Sequence, residues 1–155
     1  MQLSSLFLSA TAALLAQVVS AEYYQLESGD ALLQQFGPAK EHIQSKNVVF
    51  DAIGPEAIIS LNEEGEIGNG FVLRTVGSGK WALVAAASPD RDDITGPFAV
   101  ETVDGVDDQF VYKGGQEGTY EWVVCGEEGQ LKIHLAATEV DTGCLKDIQL
   151  TAVGI

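Results

Sequence analysis

"TYEWVVCGEEGQLKIHLAATEVDTGCLKDIQLTAV", residues 119–153, is the stretch whose reading decides the fold. Tyr120, Trp122 and Val124 share one face of an extended chain, and Leu131, Ile133 and Leu135 do the same in the next run. Ile148, Leu150 and Ala152 continue the pattern, with Lys146, Asp147, Gln149 and Thr151 between and around them. Period-two alternation of this kind gives a strand one buried and one wet face. It places Trp122 in the core and His134, flanked by Ile133 and Leu135, on the wet face. Between the first two runs, "CGEEGQ" (125–130) supplies glycine where a tight hairpin needs positive φ, and "VGSGKW" (76–81) does so earlier in the chain.

Working outward, the same grammar covers most of the sequence. Short apolar runs separated by Gly, Pro, Asp and Asn occur at 48–53, 57–61, 71–76, 81–87, 97–103, 109–113, 119–125, 130–137 and 145–153. About nine short strands at this spacing predict an all-β, single-domain antiparallel sandwich or barrel. The segment 22–46 is less regular: "DALLQQF" suits a short helix or a strand-like turn, ended by Gly37-Pro38. "NEEGEIGNG" (62–70) reads as a longer turn region.

The two cysteines, Cys125 and Cys144, lie 19 positions apart on either side of one strand. A zinc site usually needs four ligands in paired short spacings, and the nearest histidine, His134, is mid-strand. A redox pair would usually be Cys-x-x-Cys. If the strands that carry them are neighbours the sulfurs can meet, so the expectation is one supporting disulfide, free or catalytic thiols being the other reading.

Residues 1–21, "MQLSSLFLSATAALLAQVVSA", contain no Asp, Glu, Lys or Arg, and an apolar stretch from Leu6 to Ala16 precedes small residues at Val19-Ser20-Ala21. That layout predicts a secretory signal peptide, with 22–155 as the exported domain and no membrane association after cleavage. The net charge of −15 repels a phosphate backbone, so nucleic acid is not expected as a partner. "TAVGI" is not followed by an apolar tail, so a glycolipid anchor is not expected either.

The remaining constellations point to few chemistries. "GSGK" (77–80) lacks the glycine five positions earlier and the following Ser or Thr of a phosphate loop, and reads as a hairpin turn. "PDRDD" (89–93) and "DGVDD" (104–108) do not match the twelve-residue calcium loop and read as acidic surface turns. With 23 carboxylates a close Asp/Glu pair is unavoidable, so a glycosidase-like pair carries no information. No catalytic, cofactor or metal residues are assigned. Among the rings that could stack on sugars (Tyr23, Tyr24, Trp81, Tyr112, Tyr120 and Trp122), Trp81 and Tyr112 are the binding candidates.

"DDQFVYKGGQEGTYEWVVC", then "GQLKIHLAA" and "GCLKDIQLTAV", resemble small secreted proteins of filamentous fungi over about residues 98–153. The cell-wall proteins of phialide and conidium development look like this at their C-termini, as does the C-terminal domain of Pir-type wall mannoproteins. "EHIQSKNVVFDA" (41–52) is loosely similar to an early stretch of the phialide type. The further N-terminal cysteines of the phialide type and the glutamine-containing repeats of the Pir type are absent. The resemblance implies no catalytic residues and maps only Cys125 and Cys144, as the bridge. The expectation is a non-enzymatic secreted or wall-associated protein with a structural or surface-interaction role, its partner being wall polysaccharide. The alternatives are an effector or allergen-like protein binding a host surface component, and a small carboxylate-pair hydrolase.

Overall fold

The computed structural model describes residues 22–155, so the leader expected at 1–21 lies outside the described residues. Twelve strands follow in chain order: β1 (Glu22–Ser28), β2 (Lys40–Glu41), β3 (Val48–Val49), β4 (Ile59–Leu61), β5 (Ile67–Gly68), β6 (Phe71–Gly77), β7 (Lys80–Ala85), β8 (Phe98–Val103), β9 (Val106–Tyr112), β10 (Tyr120–Glu127), β11 (Gln130–Ala137) and β12 (Leu150–Gly154). Three two-residue turns join β6 to β7, β8 to β9 and β10 to β11. Their central residues are Ser78-Gly79 (φ 54° and 74°), Asp104-Gly105 (51° and 79°) and Glu128-Gly129 (53° and 75°). Positive φ at both central positions is the hairpin geometry whose twist matches the flanking strands. The turns read at 77–80 and 125–130 are therefore hairpins, and the acidic "DG" at 104–105 is a third.

The strands form two six-stranded antiparallel sheets, ordered β5-β4-β1-β12-β9-β8 and β2-β3-β11-β7-β6, with β10 also paired to β11. This is the expected all-β sandwich. Leu26, Phe110 and Leu150 from the first sheet meet Leu73, Leu83, Ile133 and Leu135 from the second in one core. Phe98 stacks on Phe110 at 5.1 Å and Phe110 on Trp122 at 5.7 Å. Trp122 is buried, as its strand pattern predicts, and its indole N–H donates to the Phe110 carbonyl at 2.8 Å. That bond joins β10 of one sheet to β9 of the other and satisfies a polar group that would be costly to bury alone.

The structure corrects the sequence reading in three places. The N-terminal segment is not irregular throughout: β1 pairs with both β4 and β12 inside the first sheet. Its signal is weak because Leu26 and Ser28 are the buried residues of the strand, and its partners come from distant parts of the chain. "DALLQQF" contributes only a 3-10 turn, Gln34–Phe36. The last run, 145–153, is not one strand. Leu145 bridges to Val124 in the second sheet, Asp147 takes a left-handed φ of 53°, and β12 begins at Leu150 in the first sheet. The segment is a crossover between sheets, although Ile148, Leu150 and Ala152 are buried as the alternation requires.

The third correction is His134, which is 2% exposed rather than wet. Its strand, β11, has β10 on one side and β3 and β7 on the other. The face of β11 turned away from the core is itself covered: Val123, Cys125 and Ala136 form a second cluster packed against Cys144. The "PDRDD" turn is the surface turn expected, with Pro89, Asp90, Arg91 and Asp92 exposed, and it is anchored at its end. Asp93 is half-buried, its side chain almost wholly covered, and it accepts two bonds from Arg74, at 3.1 Å from Nε and 2.8 Å from Nη2, tying the loop to β6. That guanidinium holds the Asp93 carboxyl below the ordinary carboxylate range.

Candidate functional site

Tyr112 ends β9 and Tyr120 begins β10, so the loop 113–119 sets the distance between their rings. Tyr112 continues the inward face of Phe110 and Tyr120 the inward face of Trp122, since residues two apart on a strand share a face. The rings meet edge to face, with centroids 5.2 Å apart and planes at 86°. This is a favoured arrangement for two quadrupolar rings. The row extends to Phe98, 5.3 Å from Tyr112, and to Trp81, 5.9 Å from Tyr120. It links the two sheets where β8 and β9 face β10.

The loop between the tyrosines has to come close. A Cβ on Gly114 would lie 2.0 Å from the Tyr112 hydroxyl, and one on Gly115 would lie 2.6 Å from the Tyr120 ring. The glycine pair lets the backbone seat against both rings, which explains "KGG" at this point of the sequence.

Beside the rings is a cavity of about 420 Å³ whose wall includes Val111, Tyr112, Tyr120, Trp122 and Leu135. Its polar rim carries Glu101, Lys113, Gln116, Glu117 and Glu121. A hollow of about 300 Å³ shares Val103, Val111, Glu121 and Trp122 with it and runs on to Asp104, Asp147 and Gln149. A third, of about 360 Å³, shares Gln116 and Tyr120 and reaches Thr138 and Glu139. The shared residues make these one groove along β10.

Two of the carboxylates are held in place. Glu101 pairs with Lys113 Nζ at 3.0 Å, while Glu121 accepts from the Asp147 backbone N–H at 3.0 Å and lies 3.9 Å from Lys146. Gln116 and Glu117 stand exposed at the rim. Burial, with Tyr120 adding to it, raises the Tyr112 pKa, so its phenol remains a proton donor at neutral pH. Chemically the groove offers apolar ring surface, a phenolic donor and fixed carboxylate acceptors.

The two residues singled out from sequence, Trp81 and Tyr112, belong to this one aromatic row, but they play different parts. Tyr112 lines the cleft, whereas Trp81 packs behind Tyr120 and is not on the cleft wall. Tyr120 completes the wall and was not singled out. The clue available in the sequence is the Gly-Gly pair with a tyrosine on each side of the loop. Cys125 and Cys144 form the expected disulfide, which lies on the outer face of the second sheet, away from the cleft.

The fold and groove define the chain as an antiparallel β-sandwich with an aromatic, acid-rimmed cleft at one side. No protein-family model, curated protein or solved structure matches it.

Proposed function

We propose that this chain is a non-enzymatic secreted or cell-wall-associated domain that binds polysaccharide in the cleft between β9 and β10. One observation carries the reading: Tyr112 and Tyr120 stand edge to face on the wall of a cavity of about 420 Å³. That volume lies within the roughly 300–1,000 Å³ range of small-ligand sites. A sugar ring has an apolar C–H face and a rim of hydroxyls, so it requires ring surface and fixed acceptors side by side. Glu101 and Glu121 supply such acceptors, and their pairing with Lys113, Lys146 and the Asp147 amide favours positioning over proton shuttling. Export is supported by the leader-like composition of 1–21, and a wall location by the resemblance of residues 98–153 to fungal wall proteins.

The test is calorimetric titration with soluble oligosaccharides together with retention on insoluble wall polysaccharides. Tyr112→Ala and Tyr120→Ala should each weaken binding tenfold or more, about 1.4 kcal/mol. Tyr23→Ala, at an exposed ring in β1 outside the cleft, should leave it unchanged. Absence of binding to every polysaccharide tried would reject the reading. Fractionation of a producing culture tests location: protein found only in the medium, with no affinity for isolated walls, would remove the wall assignment.

A further inference from the structure

The outer face of the β10–β11 hairpin gathers a second set of chemistry-bearing groups, remote from the cleft wall. Cys125 Sγ, a carboxylate oxygen of Glu127 and a ring nitrogen of His134 all lie within 4.8 Å of one another. Cys125 and Glu127 are two apart on β10, and His134 lies across from Val123 on β11, so alternation puts all three on one face. Cys144, bonded to Cys125, lies next to this group without being part of it, and offers a fourth donor once the bond is broken.

We propose that reduction of the Cys125–Cys144 disulfide turns this cluster into a tetrahedral zinc site with Cys125, Cys144, Glu127 and His134 as ligands. The donor set, two thiolates, an imidazole and a carboxylate, is drawn from those that zinc selects. The frame does not depend on the sulfur–sulfur bond alone. Val124 and Leu145 exchange two backbone hydrogen bonds at 3.0 Å each, so the residues beside them stay adjacent after reduction. The His134 ring is buried, and its Nδ1 lies 3.3 Å from the Lys132 carbonyl. A carbonyl partner of that kind orients the ring of a metal-bound histidine.

The charges also balance. Lys80 Nζ sits 3.9 Å from Cys125 Sγ and 3.4 Å from Glu127, and Lys132 Nζ is 3.6 Å from Glu127. Nearby ammonium groups stabilise thiolates. Two thiolates and a carboxylate against two lysines leave one net negative charge to meet the dication. With zinc–sulfur and zinc–nitrogen bonds of about 2.3 and 2.0 Å, ligand atoms in a tetrahedral site are roughly 3.3–3.8 Å apart. Cys125, Glu127 and His134 must close by up to about 1 Å, a movement open to the exposed Glu127 side chain, while the two sulfurs must move apart by about 1.7 Å from bonded distance and Cys144 must turn towards the group.

The redox step is a two-electron reduction by a dithiol. The sulfur–sulfur bond breaks, each sulfur gains an electron and a proton, and the reductant leaves as its own disulfide. Zinc then displaces both thiol protons to solvent and bonds the two thiolates.

Cobalt(II) serves as the spectroscopic probe. Purified protein, either oxidised or reduced with a dithiol and desalted without oxygen, is titrated with Co2+ and then with Zn2+. The expected result is one Co2+ per reduced chain, with thiolate-to-cobalt charge transfer and tetrahedral d–d bands, displaced by Zn2+ and absent from the oxidised chain. Glu127→Gln and His134→Asn should each weaken binding about tenfold or more. Glu127 is exposed, so its variant tests the site even if the His134 substitution impairs folding. Missing charge-transfer bands, equal binding in both redox states, wild-type affinity in Glu127→Gln, or loss of the strand circular-dichroism signal on reduction would each overturn the proposal.

Discussion

Burial holds the His134 imidazole below its ordinary pKa, Lys80 and Lys132 push the same way, and the Lys132 carbonyl and Glu127 oppose them. In the unfolded chain the ring has its ordinary pKa of about 6.5. As pH falls, the unfolded state therefore takes up the proton first. The stability contributed by neutral His134 is complete above about pH 6.5 and is lost as pH drops through the lower folded value. The expected outcome is a fall in the urea midpoint between pH 7 and pH 5, with the part due to this residue missing from the same profile of His134→Gln. The position of His134 between Ile133 and Leu135 was legible, but its burial was not. Alternation states which residues share a face, while a cover for the second face depends on Cys144 arriving from the next part of the chain.

At the scale of the element, the hairpins at 77–80 and 125–130 were the most legible feature because their signal is local, whereas the third, at Asp104-Gly105, read only as an acidic surface turn. A left-handed pair such as Glu128-Gly129 is favoured by glycine at its second position, whatever surrounds it. A methyl group on Gly129 would meet no heavy atom within 4 Å, so the cost of Gly129→Ala is conformational, about 1–2 kcal/mol. Gly79→Ala has the same backbone demand, and its Cβ would also come 3.2 Å from the Val140 side chain. Equilibrium urea unfolding should therefore rank Gly79→Ala as at least as destabilising as Gly129→Ala. The β11 limits read from alternation, 130–137, match the strand itself, Gln130–Ala137. By contrast β2, β3 and β5 have two residues each, too few for a period to register. β1 was obscured by its polar composition, and the 145–153 run was misread because a bridge, a left-handed Asp147 and β12 follow one another without breaking the apolar alternation.

For the whole molecule, the Cys125–Cys144 bridge closes a loop across a sequence separation of 19. Constraining the unfolded chain over that length stabilises the fold by about 3 kcal/mol. Replacing both cysteines by alanine should lower the unfolding free energy by about that amount, measured by denaturant titration. Denatured, unreduced protein should react with no thiol reagent, and labelling at either cysteine would contradict the bridge. A domain with about 5–15 kcal/mol of stability can lose the bridge and remain folded, because the core of Leu26, Leu73, Phe110, Ile133 and Leu150 does not involve it. The sequence by itself determined the strand grammar, the hairpin turns, the inward Trp122 and the candidacy of the two cysteines, since each is written in residues close along the chain. Only the tertiary structure decided which strands are neighbours, that His134 is buried, and that Tyr112 and Tyr120 frame a cleft with Trp81 behind. Those features arise where β9 of one sheet faces β10 of the other, and contacts between sheets leave no local period to read.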